Sequence, residues 1–314
     1  MTCKIIKGNL FGINISTNLD LPINFPRSVN YEYGKEKTIL LCDKICDSDY
    51  QTYYKSDKSD VLYKYCKNKH SYIIETDKIG SVKVDSNNIF YRQSIYTNNN
   101  TKYMPFLLSF GFGIAAMLRL NNYIVLHASA LSLKGKNVLI MGPSGVGKTT
   151  LCSYLIKNHS AVLISDDMSC INTTNCMLYS GFPMMCLWPE TINHIFAVRC
   201  DDLNVIGKNG KRYFPISNTT NMVEHNVDIV VILRKAIGQI PSLVNLDAKQ
   251  LFYNLVKHIY NRPSLDSVAL SNEMAGICKA INANGTQGII LNNPRTYETL
   301  SWLSDILTKI IIEN

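Results

Sequence analysis

The 314-residue sequence has no low-complexity tract and no run of five or more Lys/Arg. Its net charge of +8 is therefore scattered, which permits an acidic partner but does not mark a nucleic-acid-binding arm. No uninterrupted apolar run is long enough for a membrane span. The most apolar stretch, Met104 to Leu118, is broken by Ser109, Gly111 and Gly113 and falls short of the ~18–20 residues required. It reads as a buried helix, and no membrane partner is expected. The opening MTCKIIKGNL has neither the charged head nor the apolar core of a signal peptide. The ten cysteines are accordingly expected to be reduced thiols in a cytoplasmic protein. Cys42 and Cys46 form one close pair, with neither a second pair nor a His-x-x-x-His to complete a zinc site. The length allows one or two domains.

What is present is concentrated between Leu126 and Asp167. Gly142-Pro143-Ser144-Gly145-Val146-Gly147-Lys148-Thr149 satisfies G-x-x-x-x-G-K-[ST] at every fixed position. Glycines at this spacing let successive N–H groups turn inward onto phosphate oxygens. Lys148 then reaches the outer phosphates, and the Thr149 hydroxyl can ligate Mg²⁺. The flanks agree: Val138 to Met141 reads as a buried strand and Thr150 to Lys157 as the helix after it. The positive end of that helix faces the anion. Gly142, Ser144, Gly145, Val146, Gly147, Lys148, Thr149 and Thr150 are thus candidate nucleotide contacts.

Before residue 100 the pattern is that of short strands, at Ser71–Glu75, Ser81–Asp85 and Asn88–Arg92, joined by turn formers. A small β-rich N-terminal domain over residues 1–102 is expected, with the polar Thr97 to Thr101 at its boundary and the second domain over 103–314. Tyrosines between Tyr31 and Tyr65 fit a half-buried sheet. The second domain starts with strand Tyr123–Leu126, which delivers His127, and a hairpin around Lys134-Gly135-Lys136-Asn137. Strand Ala161–Ile164 ends in Ser165-Asp166-Asp167, placing two carboxylates where α/β sheets bind ligands. Only one short helix separates Lys148 from these aspartates, a compact kinase arrangement rather than a GTPase or helicase one. Further on, Pro183 to Glu190 could wall an acceptor site. Gly207 to Tyr213 offers Lys208, Lys211 and Arg212 to phosphate. Val227–Leu233 and Gly288–Leu291 read as strands, Asp247–Ile259 and Tyr297–Ile312 as helices.

His127-Ala128-Ser129, GPSGVGKTT and Ser165-Asp166-Asp167 together resemble the HPr kinase/phosphorylase family. They resemble still more the HPr-kinase-related serine kinases of peptide-modification gene clusters, including those acting on lasso-peptide precursors. The resemblance runs from about Leu107 to Arg295. It implies an α/β fold with a compact phosphate-loop core related to PEP carboxykinase, and phosphate transfer from ATP to a serine hydroxyl. It also implies roles: Lys148 and Thr149 for nucleotide and Mg²⁺, Asp166 for the acceptor proton, Asp167 for the metal, and His127 beside the transferred phosphate. The Glu-x-Arg-Gly-x-Gly signature of true HPr kinases is missing, so neither HPr nor the reverse reaction belongs to the expectation.

The expected function is ATP- and Mg²⁺-dependent phosphorylation of a hydroxyl on a peptide or protein serine, with homo-oligomers possible. A small-molecule hydroxyl such as free serine, or a nucleotide-binding regulatory module without transfer, are the alternatives.

Overall fold

The computed structural model describes residues 5–22, 36–45, 50–55, 61–66, 70–76, 79–94, 104–201, 203–206, 210–220, 224–236 and 242–313. The expected boundary at 97–101, and Cys46, lie outside them. The protein is a mixed α/β chain with several sheets. Among the described residues no helix is long and apolar enough to cross a membrane. The described cysteines, Cys42, Cys152, Cys170, Cys176, Cys186, Cys200 and Cys278, are unbridged.

The first eight strands are β1 (Ile6–Leu10), β2 (Ile13–Thr17), β3 (Lys37–Leu41), β4 (Tyr50–Lys55), β5 (Val61–Cys66), β6 (Tyr72–Thr76), β7 (Gly80–Val84) and β8 (Asn88–Gln93). They form one sheet in the order β1-β2-β3-β8-β7-β6-β5-β4. Alternating burial turns Ile74, Val82, Val84, Ile89 and Tyr91 into one cluster with Phe106, Phe110 and Met117. Those last residues belong to a helical segment, α1 (Met104–Phe106), a π-helical turn (Leu107–Gly113) and α2 (Ile114–Leu120). The expected single helix is thus widened in the middle. At Gly113 an added Cβ would stand 3.3 Å from the Ile89 side chain, so the glycine lets the turn press against β8.

The second region runs β9 (Tyr123–Leu126), β10 (Ala128–Leu133), β11 (Lys136–Met141), α3 (Lys148–His159), β12 (Val162–Ser165), β13 (Ser169–Asn172), β14 (Leu178–Tyr179), β15 (Met184–Leu187) and α4 (Pro189–Phe196). It continues with β16 (Val205–Ile206), β17 (Lys211–Pro215), β18 (Glu224–His225), β19 (Ile229–Lys235), β20 (Ser242–Leu246), α5 (Ala248–Lys257), α6 (Ser267–Asn284), β21 (Gln287–Asn293) and α7 (Thr299–Glu313). The β10–β11 hairpin closes through two residues, Lys134 and Gly135, at φ 50° and 83°, a left-handed pair whose twist suits adjacent strands.

A six-stranded sheet, β12-β10-β11-β19-β21-β20, is the centre of this region. Period-two alternation sends its side chains to opposite faces. Val138, Ile140, Val231 and Leu291 pack on α3, α4 and α7, while Leu139, Met141, Val230 and Ile290 pack on α5, α6 and β9. β11, β19 and β21 run parallel, and β10 is antiparallel to both β11 and β12. The carboxyl ends of β11, β12, β19 and β21 therefore share one edge with the start of β10. The helix α6 has no counterpart in the expectation above, although Asp266 caps its start, accepting from the Ala269 N–H at 2.8 Å, and Gly285 ends it at φ 59°.

Candidate active site at the shared sheet edge

At that edge the chain after β11 loops back into α3. Gly142 takes φ +146°, and a Cβ there would come within 2.4 Å of the Leu233 carbonyl oxygen. Only glycine can turn the chain this close to β19. The loop encloses one side of a cleft of about 580 Å³. Its lining includes Ser144, Gly145, Val146, Gly147, Lys148, Thr149, Thr150, His127, Asp167 and Lys211. These sequence-predicted residues are brought together from four separate stretches of chain.

Lys148 is 7 % exposed and donates to the carbonyls of Gly142 at 2.9 Å and Pro143 at 3.3 Å. Burial holds its ammonium below the ordinary lysine value, against the pull of Asp167 and Asp166. Thr149 stands in the first turn of α3, and its hydroxyl donates to Asp166 Oδ1 at 3.3 Å.

The two aspartates occupy different settings. Asp166 is held on both oxygens: Ser129 donates to Oδ1 at 2.6 Å and the Cys186 N–H to Oδ2 at 3.1 Å. It does not line the cleft. Burial, then the charge of Asp167, raises its pKa above the ordinary carboxylate value despite those donors. Asp167 lines the cleft, with its side chain 58 % exposed to the water there, and its Oδ1 lies 3.2 Å from His127 Nε2. Its depth in the protein raises its pKa. The hydrogen bond and charge of His127, with Lys211 and Lys148, outweigh that and hold it below the ordinary value. Asp167 also sits at φ 64°, a left-handed conformation that strains a non-glycine residue. Asp166, to which the sequence expectation assigned the acceptor proton, is thus held by three donors, from Ser129, Thr149 and Cys186, and stands back from the cleft.

His127 is anchored through its backbone, whose N–H donates to the His258 carbonyl at 2.8 Å, just beyond the β9 bridge between Leu126 and Ile259. The His258 ring lies behind, with Nε2 buried and unpartnered among the described residues. Burial, with Lys148 and His127 nearby, pushes its pKa down to about 4.

Lys211 and Arg212 were both candidates for phosphate, but alternation along β17 separates them. Lys211 reaches the cleft, with its Nζ 5.7 Å from the Trp188 ring centroid, whereas Arg212 donates to the Gly210 carbonyl at 2.8 Å and does not line it. Lys208 lies outside the described residues. Of the stretch proposed as an acceptor wall, Cys186, Leu187, Trp188 and Glu190 do face the cleft. Asn293, Arg295, Thr296 and Tyr297, to which sequence reasoning assigned no function, also line the cleft. Their position at the end of a strand parallel to β11 was the available signal.

Thr149 and Asp167 offer hard oxygen donors to the cleft. Among the described residues no group of three or more His, Cys, Asp or Glu could hold a metal unaided. That donor set fits Mg²⁺, which keeps its waters and leans on substrate phosphates.

No family model matches the chain, and no curated protein matches it. Among solved structures it is similar to an HPr(Ser) kinase/phosphatase from Coxiella burnetii, over 60 % of this chain and 97 % of that one. The identity is 14 % and the TM-score 0.31.

Proposed function

We propose that this cleft binds ATP with Mg²⁺ and transfers the terminal phosphoryl group to a hydroxyl, with a serine of a peptide or protein as the acceptor. The observation that carries this reading is the Asp167–His127 pair, 3.2 Å apart and facing the same cleft as the phosphate loop. A module that only sensed nucleotide would not require an accessible, histidine-paired carboxylate beside the phosphates.

In this reading the proton-accepting role passes from Asp166 to Asp167, which keeps the metal-binding role of the sequence expectation, and Asp166 becomes a positioning residue. Asp167 accepts the proton of the acceptor hydroxyl as the oxygen–phosphorus bond forms, and the bond to the leaving diphosphate breaks. His127 holds the carboxylate in place. Asp166 fixes the Thr149 hydroxyl on one side and the Cys186 backbone on the other, keeping loop and cleft wall in register. Lys148 turns from the loop carbonyls to the phosphates, and Lys211 adds charge from β17. Mg²⁺ bound at Thr149 and Asp167 would neutralise phosphate charge. Phosphoryl transfer asks mainly for such positioning and charge compensation.

The test is transfer of labelled terminal phosphate from ATP to serine-containing peptides, with free serine offered in parallel. Label on a peptide supports the proposal, and label on free serine alone moves the acceptor to small molecules. ATP binding without transfer to any hydroxyl offered would favour the regulatory module.

A further inference from the structure

We infer that Arg295 is a third phosphate-binding cation of this cleft, beside Lys148 and Lys211, contributed by the chain itself from the end of β21. The inference rests on the nucleotide reading above and adds a residue that reading does not use.

β21 ends at Asn293, beside the phosphate loop. Asn293 is 3 % exposed, and its Nδ2 donates to the Val146 carbonyl at 3.1 Å. At Gly147, an added Cβ would stand 3.1 Å from the same Nδ2, so the loop and β21 are in close contact. The other end of the Asn293 amide accepts the Arg295 N–H at 2.9 Å. One buried amide thus ties the loop backbone to the arginine backbone. Arg295 itself takes φ 68°, a conformation that disfavours any side chain beyond glycine and asparagine. Its Nη2 comes to 4.0 Å from the position of a Cβ on Gly145, which places the guanidinium over the middle of the loop.

No described carboxylate lies within ion-pair distance of that guanidinium. Lys148 spends its hydrogens on loop carbonyls, whereas Arg295 directs its charge into the cleft it lines. A planar guanidinium can meet two phosphate oxygens at once, which a lysine ammonium cannot. An arginine with no phosphate role would gain nothing from a strained backbone pinned to the loop. Arg295 thus completes a cationic set drawn from α3, β17 and the end of β21.

The strained backbone supplies the test. Arg295→Gly removes the guanidinium and relieves the left-handed conformation, so the variant folds with an unchanged or higher Tm. Binding of ATP, ADP and adenosine would be measured by calorimetry on wild type, Arg295→Gly, Arg295→Lys and Lys148→Ala. The expected result is a loss of about 10- to 100-fold in ATP affinity for Arg295→Gly with adenosine affinity unchanged. Arg295→Lys should recover part of the loss. If Lys148→Ala weakens ATP binding while Arg295→Gly does not, Arg295 is not a phosphate ligand and the nucleotide reading stands. An equal loss for adenosine and ATP would also overturn the inference. If wild type binds no nucleotide, both readings fall together.

Discussion

The eight-stranded sheet of β1–β8 and the six-stranded sheet around β11 differ in how neighbours are connected. In the first, β1 and β4 to β7 each pair antiparallel with their successors, and parallel pairing is confined to β2–β3 and β3–β8. Residues that meet at the end of such a ladder are mostly the few residues of one turn, such as Asp85 accepting from Asn87 and Asn88. In the second, β11, β19 and β21 are parallel, so chain ends near residues 141, 235 and 293 arrive at one edge. Helices must carry the chain back between them. Chemistry that needs groups from distant parts of the sequence can assemble at the second kind of edge, where the cleft lining draws on residues from 127 to 300.

Perturbing the phosphate loop should therefore have its largest effect on function. Lys148→Ala should lower transfer by about 10²–10³-fold, the usual cost of removing one group aimed at developing charge. Steady-state kinetics with labelled ATP, alongside a folding check, would show it. A variant that turns over normally would take the loop out of the mechanism.

Glycines in the two regions sharpen the contrast. Gly12, at φ 74°, faces Tyr179, whose ring carbon would lie 2.2 Å from an added Cβ. Gly12→Ala should cost about 1–3 kcal/mol in stability, seen as a lower Tm, with nucleotide affinity unchanged in the folded fraction. Gly142→Ala should lose nucleotide binding as well, because the strain falls in the loop itself. Equal binding losses in the two would mean that the sheets are coupled more tightly than their contacts suggest.

A smaller effect is expected from pH. His258 has a folded pKa near 4, below its ordinary 6.5, so the unfolded chain binds the extra proton between those values. Stability therefore rises with pH through that window and is lost on acidification from about 6.5 to 4, by at most about 3 kcal/mol. Urea titrations at pH 7.5 and 5 should show a shallower loss for His258→Gln than for wild type. An identical pH slope would mean the ring is better solvated than its burial indicates.

The smallest change is conservative. Thr149→Ser should stay active, since either hydroxyl can ligate metal and meet Asp166, while Thr149→Val should demand more Mg²⁺. Normal turnover of the valine variant at low Mg²⁺ would exclude Thr149 as a ligand.

What was legible in the sequence follows the same division. The loop, β11, α3 and the strand before Asp166 are local patterns, and the structure places them as read. The hairpins β6–β7–β8 were legible for the same reason. The separation of Lys211 from Arg212 depends on the register of β17 against β15, which pairs Leu187 with Arg212 and is fixed by tertiary packing. The setting of Asp166 depends on Ser129 and Cys186, 37 and 20 positions away, and that of Asp167 on His127. Helix α6 escaped notice because its small and polar residues blur the apolar stripe. Gly276, which would be an interruption in an isolated helix, instead lets it approach Thr173 and Ile124, where a Cβ would come within 2.8 and 3.0 Å.

If the shared edge is the proposed phosphoryl-transfer site, Asp167 and not Asp166 takes the acceptor proton. The most direct measurement is single-turnover transfer from labelled ATP by Asp166→Asn and Asp167→Asn, beside ATP binding on the same proteins. Asp167→Asn should retain nucleotide and lose about 10²–10⁴-fold in transfer rate. Asp166→Asn should act through the Thr149 and Ser129 contacts, altering Mg²⁺ dependence and Tm more than the rate at saturating metal. A rate collapse confined to Asp166→Asn, with Asp167→Asn near wild type, would contradict that role for Asp167.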